Sequence, residues 1–591
     1  MHQCLAIPDI QHLICELLRT ELSLRGRSGP LFTLARTCRA FTEPALDNLY
    51  YELESLWPLI KCLPHDAWTV TAPTGLSILD KGTISLRRAL SSADAATIQK
   101  YSQRVRVIEI DSEGYRVDEG VFHALGFFFP EYLLPNLKRL WFYDSPSRPP
   151  IFQYIRLFIC PGLTSLRINL QGLDAQTGSL VNSLPSLITP SALRDFHLLF
   201  SLRKKAFGHA HLHCISSCIG TWHNLRNLRL TVADYDAILQ ASRLPHLRRL
   251  MVANLDKQQY IDQQEIELIS KPFPALRRLT INISLDKGTR LLPLLRGCKL
   301  QELKIAQRGP TDNSSLSDFL AGVGKYLKPD SFQTLWINAP INPPEGVSFG
   351  AMVAPFLQYS KLQSFKFKLA QLPPLTAQET LQIKTSWPNL RTLCIAAHDG
   401  LACEGTNLSS LLPLASGLPR LRRLKMDLNA WCPLDRAELF DMYRRSRDFG
   451  VCNSPLKYLD VRWSKISHKE FVAAFLSEAF PNLLHIRSLY LGTDDGDERR
   501  NHRRWQTVGQ VLLPLLRMTK RKEQLRLTHR DDAMDVEGDE EMEEDKDGAD
   551  RLAPFWSGRM VDDDEDVSSD GNHTDEDGSD FSTDEESDYG E

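Results

Sequence analysis

One short apolar phrase returns along most of this 591-residue chain and constrains the fold more than any other feature. The copy at residues 135–142 reads Pro-Asn-Leu-Lys-Arg-Leu-Trp-Phe, with apolar residues at positions one, four and six counted from Leu137. Further copies begin at Val105, Leu163, Leu193, Leu225, Leu247, Leu276, Leu300, Phe332, Leu362, Leu390, Leu421, Leu456 and Leu483. A repeated unit of this kind cannot bury its apolar face alone, so the copies are predicted to stack.

The spacing of the copies predicts one strand and one helical or turn segment per repeat. First positions from Leu137 to Leu483 span 346 residues in 12 steps, or about 29 residues per step. Seven copies carry proline two residues before the first position. Proline cannot continue a helix, so it marks the switch from helix to strand. Because strand side chains alternate, positions four and six are predicted to face the core.

These copies resemble the leucine-rich repeat family, with departures from its pattern. That family places Asn or Cys at position nine of each copy, to bond the backbone of the turn. Here position nine holds Ser145, Ala233, Leu255, Ser284 and His398, and only Asn429 fits. The resemblance implies an α/β solenoid, an irregular leucine-rich-repeat horseshoe with uneven loops. The alternative is a multidomain chain with unrelated leucine-rich segments.

Positions three, five and seven are predicted to point away from the core onto one shared face. From the Leu137 copy to the Leu456 copy, eleven basic residues and four acidic residues occupy these positions. The predicted substrate-binding residues are Arg139, Trp141, Arg167, Arg229, Arg249, Arg278, Lys304, Trp336, Lys366, Arg423 and Lys425. Arginine pairs bidentately with carboxylate and phosphate, so an acidic or phosphorylated protein is the expected substrate. The alternatives are RNA, held by phosphate contacts and stacking, and a solvated face without a ligand.

Residues 1–60 do not follow the repeat, and the first 55 are predicted to form three short helices. A proline-started amphipathic helix opens at Ile7, a second helix at Leu31 and a third at Glu43. The apolar stripe of the first helix is predicted to be Ile10, Leu13, Ile14, Leu17 and Leu18. Helices this short bury little surface alone, so their apolar residues require a partner.

This N-terminal block resembles the F-box. The residues that match it, which the resemblance implies bind the adaptor, are Ile7, Pro8, Ile10, Ile14, Leu17, Leu31, Leu34, Cys38, Phe41, Leu46, Leu49 and Tyr50. Tyr50 stands where the family commonly has tryptophan. In the family this surface docks on the Skp-type adaptor of a cullin–RING ubiquitin ligase. An F-box followed by leucine-rich repeats resembles fungal F-box substrate receptors. The alternative is a helical cap on the open end of the solenoid.

The charge of the chain is unevenly distributed along its length. Residues 531–591 contain 27 acidic and three basic residues, whereas the remainder contains 67 basic and 47 acidic residues. A segment so acidic and so poor in apolar residues is predicted to be disordered and to attract a basic partner, unless it serves solubility alone. The predicted organisation is an F-box-like module at 1–55, a helical linker or N-terminal cap at 56–104, the solenoid at 105–495, a basic C-terminal helix or cap at 496–530 and the acidic tail at 531–591.

Motifs for catalysis, secretion and membrane insertion are absent from the sequence. There is no Walker A motif, no Gly-x-Ser-x-Gly and no His-Glu-x-x-His, so neither an enzyme nor a cofactor is expected. Without a signal peptide or a run of about 18 apolar residues, the expected location is cytoplasmic or nuclear, without a membrane. Five potential zinc ligands lie in residues 209–218, namely His209, His211, His213, Cys214 and Cys218. Their spacing matches no standard zinc finger, and the alternating histidines predict a strand or loop without a metal.

Taken together, these features predict a substrate receptor that is not itself an enzyme. Residues 7–50 would recruit the ligase adaptor and the cullin complex, while the repeats would hold a target protein. Catalysis would then follow from proximity alone. The alternative is an acidic-tailed repeat scaffold that resembles the acidic leucine-rich nuclear phosphoproteins, which handle histones.

Overall fold

The computed structural model describes residues 5, 7–23, 29–72, 82–110, 115–143, 151–170, 175–189, 191–200, 209–255, 266, 269–307, 314–344, 346–398, 405–431, 454–490 and 496–534. The chain divides into two units, Met1–Arg521 and Lys522–Glu591. The predicted acidic tail lies outside the described residues, apart from its first four positions, which continue a helix. The spacer at residues 437–443, whose sequence Ala-Glu-Leu-Phe-Asp-Met-Tyr predicts a helix, also lies outside them.

Across the described ranges of the first unit, fifteen strands form one parallel sheet that follows the order of the chain. These strands are β1 (Glu52–Leu53), β4 (Val107–Ile110), β6 (Arg139–Tyr143), β7 (Ser165–Leu170), β8 (Asp195–Phe200), β9 (Asn227–Leu230), β10 (Arg249–Val252), β11 (Arg278–Asn282), β12 (Glu302–Ala306), β13 (Thr334–Ala339), β14 (Ser364–Leu369), β15 (Thr392–Ala397), β17 (Arg423–Met426), β19 (Tyr458–Arg462) and β21 (His485–Ser488). All fourteen sequence copies therefore supply a strand, and each of these strands begins at position three. The α/β solenoid-like architecture is confirmed.

Equivalent positions of neighbouring repeats lie side by side in the sheet. Leu140 of β6 pairs with Leu166 of β7, and Leu250 of β10 pairs with Leu279 of β11. Positions one, four and six are buried in every copy up to the Leu456 copy, as in Leu137, Leu140 and Phe142, whereas Ile486 and Ser488 of the last copy are only partly buried. This confirms the predicted alternation, because the odd strand positions lie on the opposite face and remain partly or fully exposed in most repeats.

Helices and single turns of 3-10 helix connect the strands. The α-helices are α1 (Pro8–Ser23), α2 (Gly29–Thr37), α3 (Arg39–Leu49), α4 (Trp57–Ile60), α5 (Ser92–Ser102), α6 (Glu119–Phe128), α7 (Ala175–Leu187), α8 (His209–Thr221), α9 (Tyr235–Ser242), α10 (Leu285–Leu291), α11 (Ser314–Tyr326), α12 (Phe349–Val353), α13 (Ala377–Ser386), α14 (Leu412–Gly417), α15 (Lys469–Ala479), α16 (Gly496–Thr507) and α17 (Leu513–Met534). The 3-10 segments are Phe152–Leu157, Leu292–Leu295, Ala354–Phe356 and Leu408–Leu411.

Side chains of the next repeat accept hydrogen bonds from the backbone N–H group of position eight. Thr231 Oγ1 accepts a hydrogen bond from Phe200 N at 3.0 Å. Ser464 Oγ accepts one from Leu428 N at 2.7 Å. Both acceptors are buried, so they replace water for a buried N–H group. In these repeats of irregular sequence, different side chains therefore provide the acceptor for a buried backbone N–H group.

Three further features differ from the sequence expectations. Residues 56–104 were expected to be helical, but they include β2 (Trp68–Thr71) and β3 (Thr83–Leu86), which pair antiparallel. β3 also pairs with β5 (Arg116–Val117) in this small sheet, because β-branched residues favour extended structure at these positions. A second small sheet contains β16 (Thr406–Asn407), β18 (Leu428–Ala430) and β20 (Lys465–Ile466). The expected strand or loop at residues 209–218 is wrong, since this segment belongs to α8.

Helices close the end of the sheet at β21. α16 continues through a π-helical turn, Val508–Leu512, into α17. Trp505, Val508 and Leu513 are buried in the same core as the repeats. Trp505 Nε1 donates a hydrogen bond to Ser464 O at 2.8 Å. This segment therefore covers apolar surface that the last repeat would otherwise expose.

Candidate functional site

The N-terminal helices form a small cluster with its own core. Cys15 of α1, Leu31 of α2, and Phe41 and Ala45 of α3 are buried together. Ile14, Leu18, Leu34, Cys38 and Leu49 are partly buried against them. Several of the predicted adaptor-binding residues therefore hold the three helices to one another.

The exposed apolar residues of this cluster lie elsewhere on the helices. Leu13, Leu17 and Phe32 are each 54% exposed, and Ile7 is 47% exposed. Pro8 is also exposed, whereas Ile10 and Leu46 are intermediate. The predicted stripe of α1 is thus only partly internal, because Leu13 and Leu17 point to solvent. Exposed large apolar side chains on one small module favour an interaction surface.

Gln11 lies on the buried side of α1, where the apolar pattern did not predict a polar residue. Its side chain is buried, and its Nε2 donates to Leu5 O at 2.7 Å. A buried amide is tolerated when it is hydrogen-bonded, and this contact supplies the partner that the Gln11 amide group needs. No periodicity of apolar residues could have identified it.

The module is fastened to the solenoid through α3 and α5. Arg104 follows α5, and its guanidinium donates to the carboxylates of Glu43 and Asp47 on α3. Its hydrogen bond is the main cause that lowers the pKa of Glu43 below its ordinary value. The Tyr50 ring packs at a tilt against the Tyr101 ring, with ring centroids 4.8 Å apart. Tyr50 therefore lies in the junction with the solenoid.

The opposite face of the main sheet contains the predicted substrate-binding residues in two columns. Position three carries Arg139, Arg249, Arg278 and Arg423; position five carries Trp141, Arg167, Arg229, Lys304, Trp336, Lys366 and Lys425. They do not form one continuous site. Met251 and Thr280 occupy position five between the Arg229 strand and the Lys304 strand.

Some of the predicted positive charge is neutralised within the sheet. Glu302 lies 2.6 Å from Lys304 Nζ and 3.5 Å from Arg278 Nε. Lys425 Nζ lies 2.9 Å from Asp460. The Arg278–Glu302 and Lys425–Asp460 pairs follow from strand adjacency, which the sequence alone did not provide, whereas Lys304 and Glu302 lie on the same strand. The positive charge of this face is therefore reduced where Glu302 and Asp460 lie beside basic residues.

Four cations gather around β15, and we call them the β15 cationic cluster: Lys366, Lys368, Lys425 and Arg462. They surround the Cys394 thiol, which is buried and whose pKa is raised chiefly by that burial. Cys394 and Ala396 are small, so the longer side chains of the neighbouring strands cover them. Small side chains therefore lie at the base of the cluster, and ammonium and guanidinium groups surround them.

Backbone geometry brings Arg462 into this cluster. The pairing of β19 with β21 is interrupted by a bulge between Asp460 and Arg462. Arg462 has a φ of 53°, in the left-handed region that non-glycine residues rarely adopt. Its guanidinium donates to Ala397 O and lies 3.7 Å from Asp427. Such strained backbone is concentrated at functional sites, which favours a binding role here.

The charges within the cluster are incompletely balanced. Among the described residues, Lys366 and Lys368 have no carboxylate partner. Burial, followed by repulsion from Lys425, lowers the pKa of Lys368. Burial and nearby Lys368 likewise lower the pKa of His398. A bound anion would relieve this repulsion, so the arrangement is suited to a carboxylate or phosphate group. Two residues near this cluster were not among the predicted substrate-binding residues. They are Lys368, at position seven of its copy, and His398, the residue directly after β15.

A second basic group lies at position five of β7 to β9. Arg167 is stacked over the Trp141 ring, 4.9 Å from its centroid, and its Nε donates to His197 Nδ1 at 3.3 Å. Burial, with Arg167 and Arg229 nearby, lowers the pKa of His197 to about 4. His197 is therefore neutral at neutral pH and can accept this bond.

The low pKa of His197 predicts a pH dependence of stability. The neutral ring is favoured by the fold, so its contribution is present above the unfolded-state pKa of about 6.5 and is lost as the pH falls towards 4. We expect the urea midpoint to fall between pH 7 and pH 4.5 by less in His197→Gln than in the natural chain. Equal falls in both proteins would show that His197 does not contribute.

Metal and membrane sites receive no support from the described part of the chain. The described residues contain no group of three metal-binding side chains, and the side chains of His209, His211 and Cys214 lie outside them. Cys218 is buried, and its thiol contacts Val181 O at 3.4 Å. Within the described ranges, no helix is both long and apolar enough to cross a membrane.

Comparison with known proteins adds little to this picture. No protein-family model and no curated protein matches the sequence. A solved structure of a Bacteroides fragilis protein aligns with 52% of this chain and 68% of its own, at 13% identity and a TM-score of 0.25. A chain of an octameric complex of Latrophilin 3, Unc5D and FLRT2, in which FLRT2 is described as LRR, aligns over 67% of this chain and 87% of its own, at 11% identity and a TM-score of 0.26. At these TM-scores neither structure is evidence for a shared function, and the repeat architecture rests on its own strand register.

Proposed function

We propose that this chain is the substrate-recognition subunit of an SCF-type cullin–RING ubiquitin ligase. The observation that carries the proposal is the outward presentation of Leu13, Leu17 and Phe32 by a helical module with a separate small core. This module coincides with the block whose sequence resembles the F-box. A cap that only covered the solenoid end would bury its large apolar side chains against the repeats.

In this proposal the N-terminal module and the repeats bind different partners. The exposed residues of α1 and α2 bind a Skp-type adaptor, while α3 joins the module to the repeats through Arg104. The sheet face that carries the β15 cationic cluster binds an acidic or phosphorylated target. No residue of this chain performs chemistry, because the ligase subunits transfer ubiquitin to a target held nearby.

Co-expression with a Skp-type adaptor tests this function. We expect the two chains to elute together as a one-to-one complex in gel filtration at physiological salt. Apolar contacts of this kind are insensitive to salt, so the complex should persist when the salt concentration is raised. Separate elution of the adaptor at both salt concentrations would contradict the proposal.

The target-binding half predicts a specific loss of affinity for anionic peptides. The Lys366→Gln/Lys368→Gln variant should bind a doubly phosphorylated serine peptide at least about tenfold more weakly, because a single hydrogen bond to a charged group contributes about 1.5 kcal/mol or more. Fluorescence anisotropy measures this change. The Lys299→Gln/Lys361→Gln control removes the same charge from exposed positions and should bind normally. Equal weakening in both variants would show a general charge effect and no dedicated site.

A further inference from the structure

A second column of basic residues lies directly before the strands of the main sheet. It is formed by position two of each repeat, one residue before the strand begins. Four consecutive repeats, β8 to β11, carry arginine there: Arg194, Arg226, Arg248 and Arg277. We call these four residues the strand-entry ladder. They are distinct from positions three, five and seven, which form the face described above.

The backbone holds the strand-entry ladder in register. Arg226 N donates to Arg194 O at 2.7 Å, and Arg248 N donates to Arg226 O at 2.7 Å. Arg277 N continues the series by donating to Arg248 O at 2.9 Å. Neighbouring strands lie about 4.8 Å apart, so the four arginines span about 14 Å. Their order is a consequence of the repeat and does not depend on side-chain contacts.

The four side chains of the ladder are exposed and uncompensated. Each is exposed, and none has a carboxylate partner within the described residues. The nearest acidic position in the adjoining column is Asp195, whose carboxylate already accepts from Asn227 Nδ2. Like charges carried on neighbouring strands repel one another, and this repulsion favours a bound polyanion.

A notch between the first arginines supplies a place for an anionic group. This cavity of about 140 Å³ is lined by Ser191, Arg194, Asn224, Arg226 and His246. Asn224 Nδ2 donates to Ser191 O at 2.9 Å and so fixes one wall. Liquid water occupies about 30 Å³ per molecule, so the cavity can hold a carboxylate group with water around it.

We propose that the strand-entry ladder binds an extended acidic segment of a partner protein. Carboxylates on alternate residues of an extended peptide repeat at about 6.7 Å, which flexible arginine side chains on a 4.8 Å ladder can follow. Bidentate pairing with guanidinium gives each contact its direction. Phe, Tyr and Trp are absent from the lining of the notch and His246 is its one aromatic ring, whereas single-stranded nucleic acid binding depends on successive stacking platforms.

The extent of the ladder sets the length of the segment. The next three repeats carry Gln301, Gln333 and Gln363 at the same position. About 14 Å of ladder corresponds to four or five extended residues at about 3.4 Å each. These glutamines also show that the fold accommodates glutamine at position two, so an arginine-to-glutamine change preserves the local structure.

Binding of a labelled peptide of eight glutamates to the full chain tests the proposal. The Arg194→Gln/Arg226→Gln/Arg248→Gln/Arg277→Gln variant should bind it about thirtyfold more weakly, since each exposed pair contributes modestly and four are lost. The control Arg87→Gln/Arg156→Gln/Arg499→Gln/Arg503→Gln loses the same charge at exposed positions off the ladder and should retain most of the affinity.

Three outcomes would overturn the proposal. The first is an equal loss of affinity in the ladder variant and the control, which would reduce the effect to net charge. The second is unchanged binding in the ladder variant. The third is tighter, ladder-dependent binding of an eight-nucleotide RNA, which would assign the surface to nucleic acid. None of these results depends on adaptor binding, so this inference and the ligase proposal fail separately.

Discussion

The Leu13→Asp/Leu17→Asp variant is expected to lose binding to a Skp-type adaptor by at least about a hundredfold. Both side chains are large, apolar and exposed on α1, and central interface residues of this kind contribute about 2 kcal/mol or more each. Aspartate would place two charges in an interface that excludes water. Titration calorimetry with the purified adaptor measures the loss.

The same variant should remain folded, because neither leucine belongs to the small core of the module. Its thermal midpoint is expected to stay close to that of the natural chain. The matched control is Leu187→Asp/Leu381→Asp, which makes the same change at leucines that are 40% and 41% exposed on α7 and α13. Full adaptor binding by the α1 variant, or equal loss in the control, would contradict an adaptor surface on α1.

Replacement of Trp505 by alanine is expected to reduce the free energy of unfolding by about 3–5 kcal/mol. Trp505 is only 1% exposed and its Nε1 hydrogen bond to Ser464 O would also be lost. The cavity would lie where α16 covers the final repeats, so the last strands should become the least protected part of the sheet. Urea denaturation and hydrogen exchange measure these two effects.

Trp431→Ala provides the matched control for this prediction. Trp431 is 54% exposed, directly after β18, and its truncation should change the free energy of unfolding by less than about 1 kcal/mol. A small effect of Trp505→Ala, similar to that of the control, would show that the C-terminal helices do not close the core.

The strands could be predicted because the repeat defines where each strand lies in the sequence and which of its side chains face the core. Once Leu137 is set as position one, alternation places Leu140 and Phe142 inside, and both are buried. β1 was not predicted, since Glu52–Leu53 lacks the recurring phrase and joins the sheet only through pairing with β4. The hairpin of β2 and β3 was missed for the same reason: no repeat identifies it.

The candidate surfaces were predictable only in part. The pattern identified a basic face, but the pairing of Lys425 with Asp460 depends on which strands are neighbours. The outward direction of Leu13 could not be read from an apolar stripe, because the buried Gln11 breaks the expected pattern. The strand-entry ladder was missed because strict alternation assigns position two to the core, whereas the strand begins only at position three.

Hydrogen exchange of the full chain with and without a Skp-type adaptor shows where the adaptor binds. We expect slower exchange in α1 and α2 on addition of the adaptor, and unchanged exchange in β10 and β11, which lie in the repeats. Protection confined to the repeats, or no protection anywhere at saturating adaptor, would contradict an adaptor-binding N-terminal module.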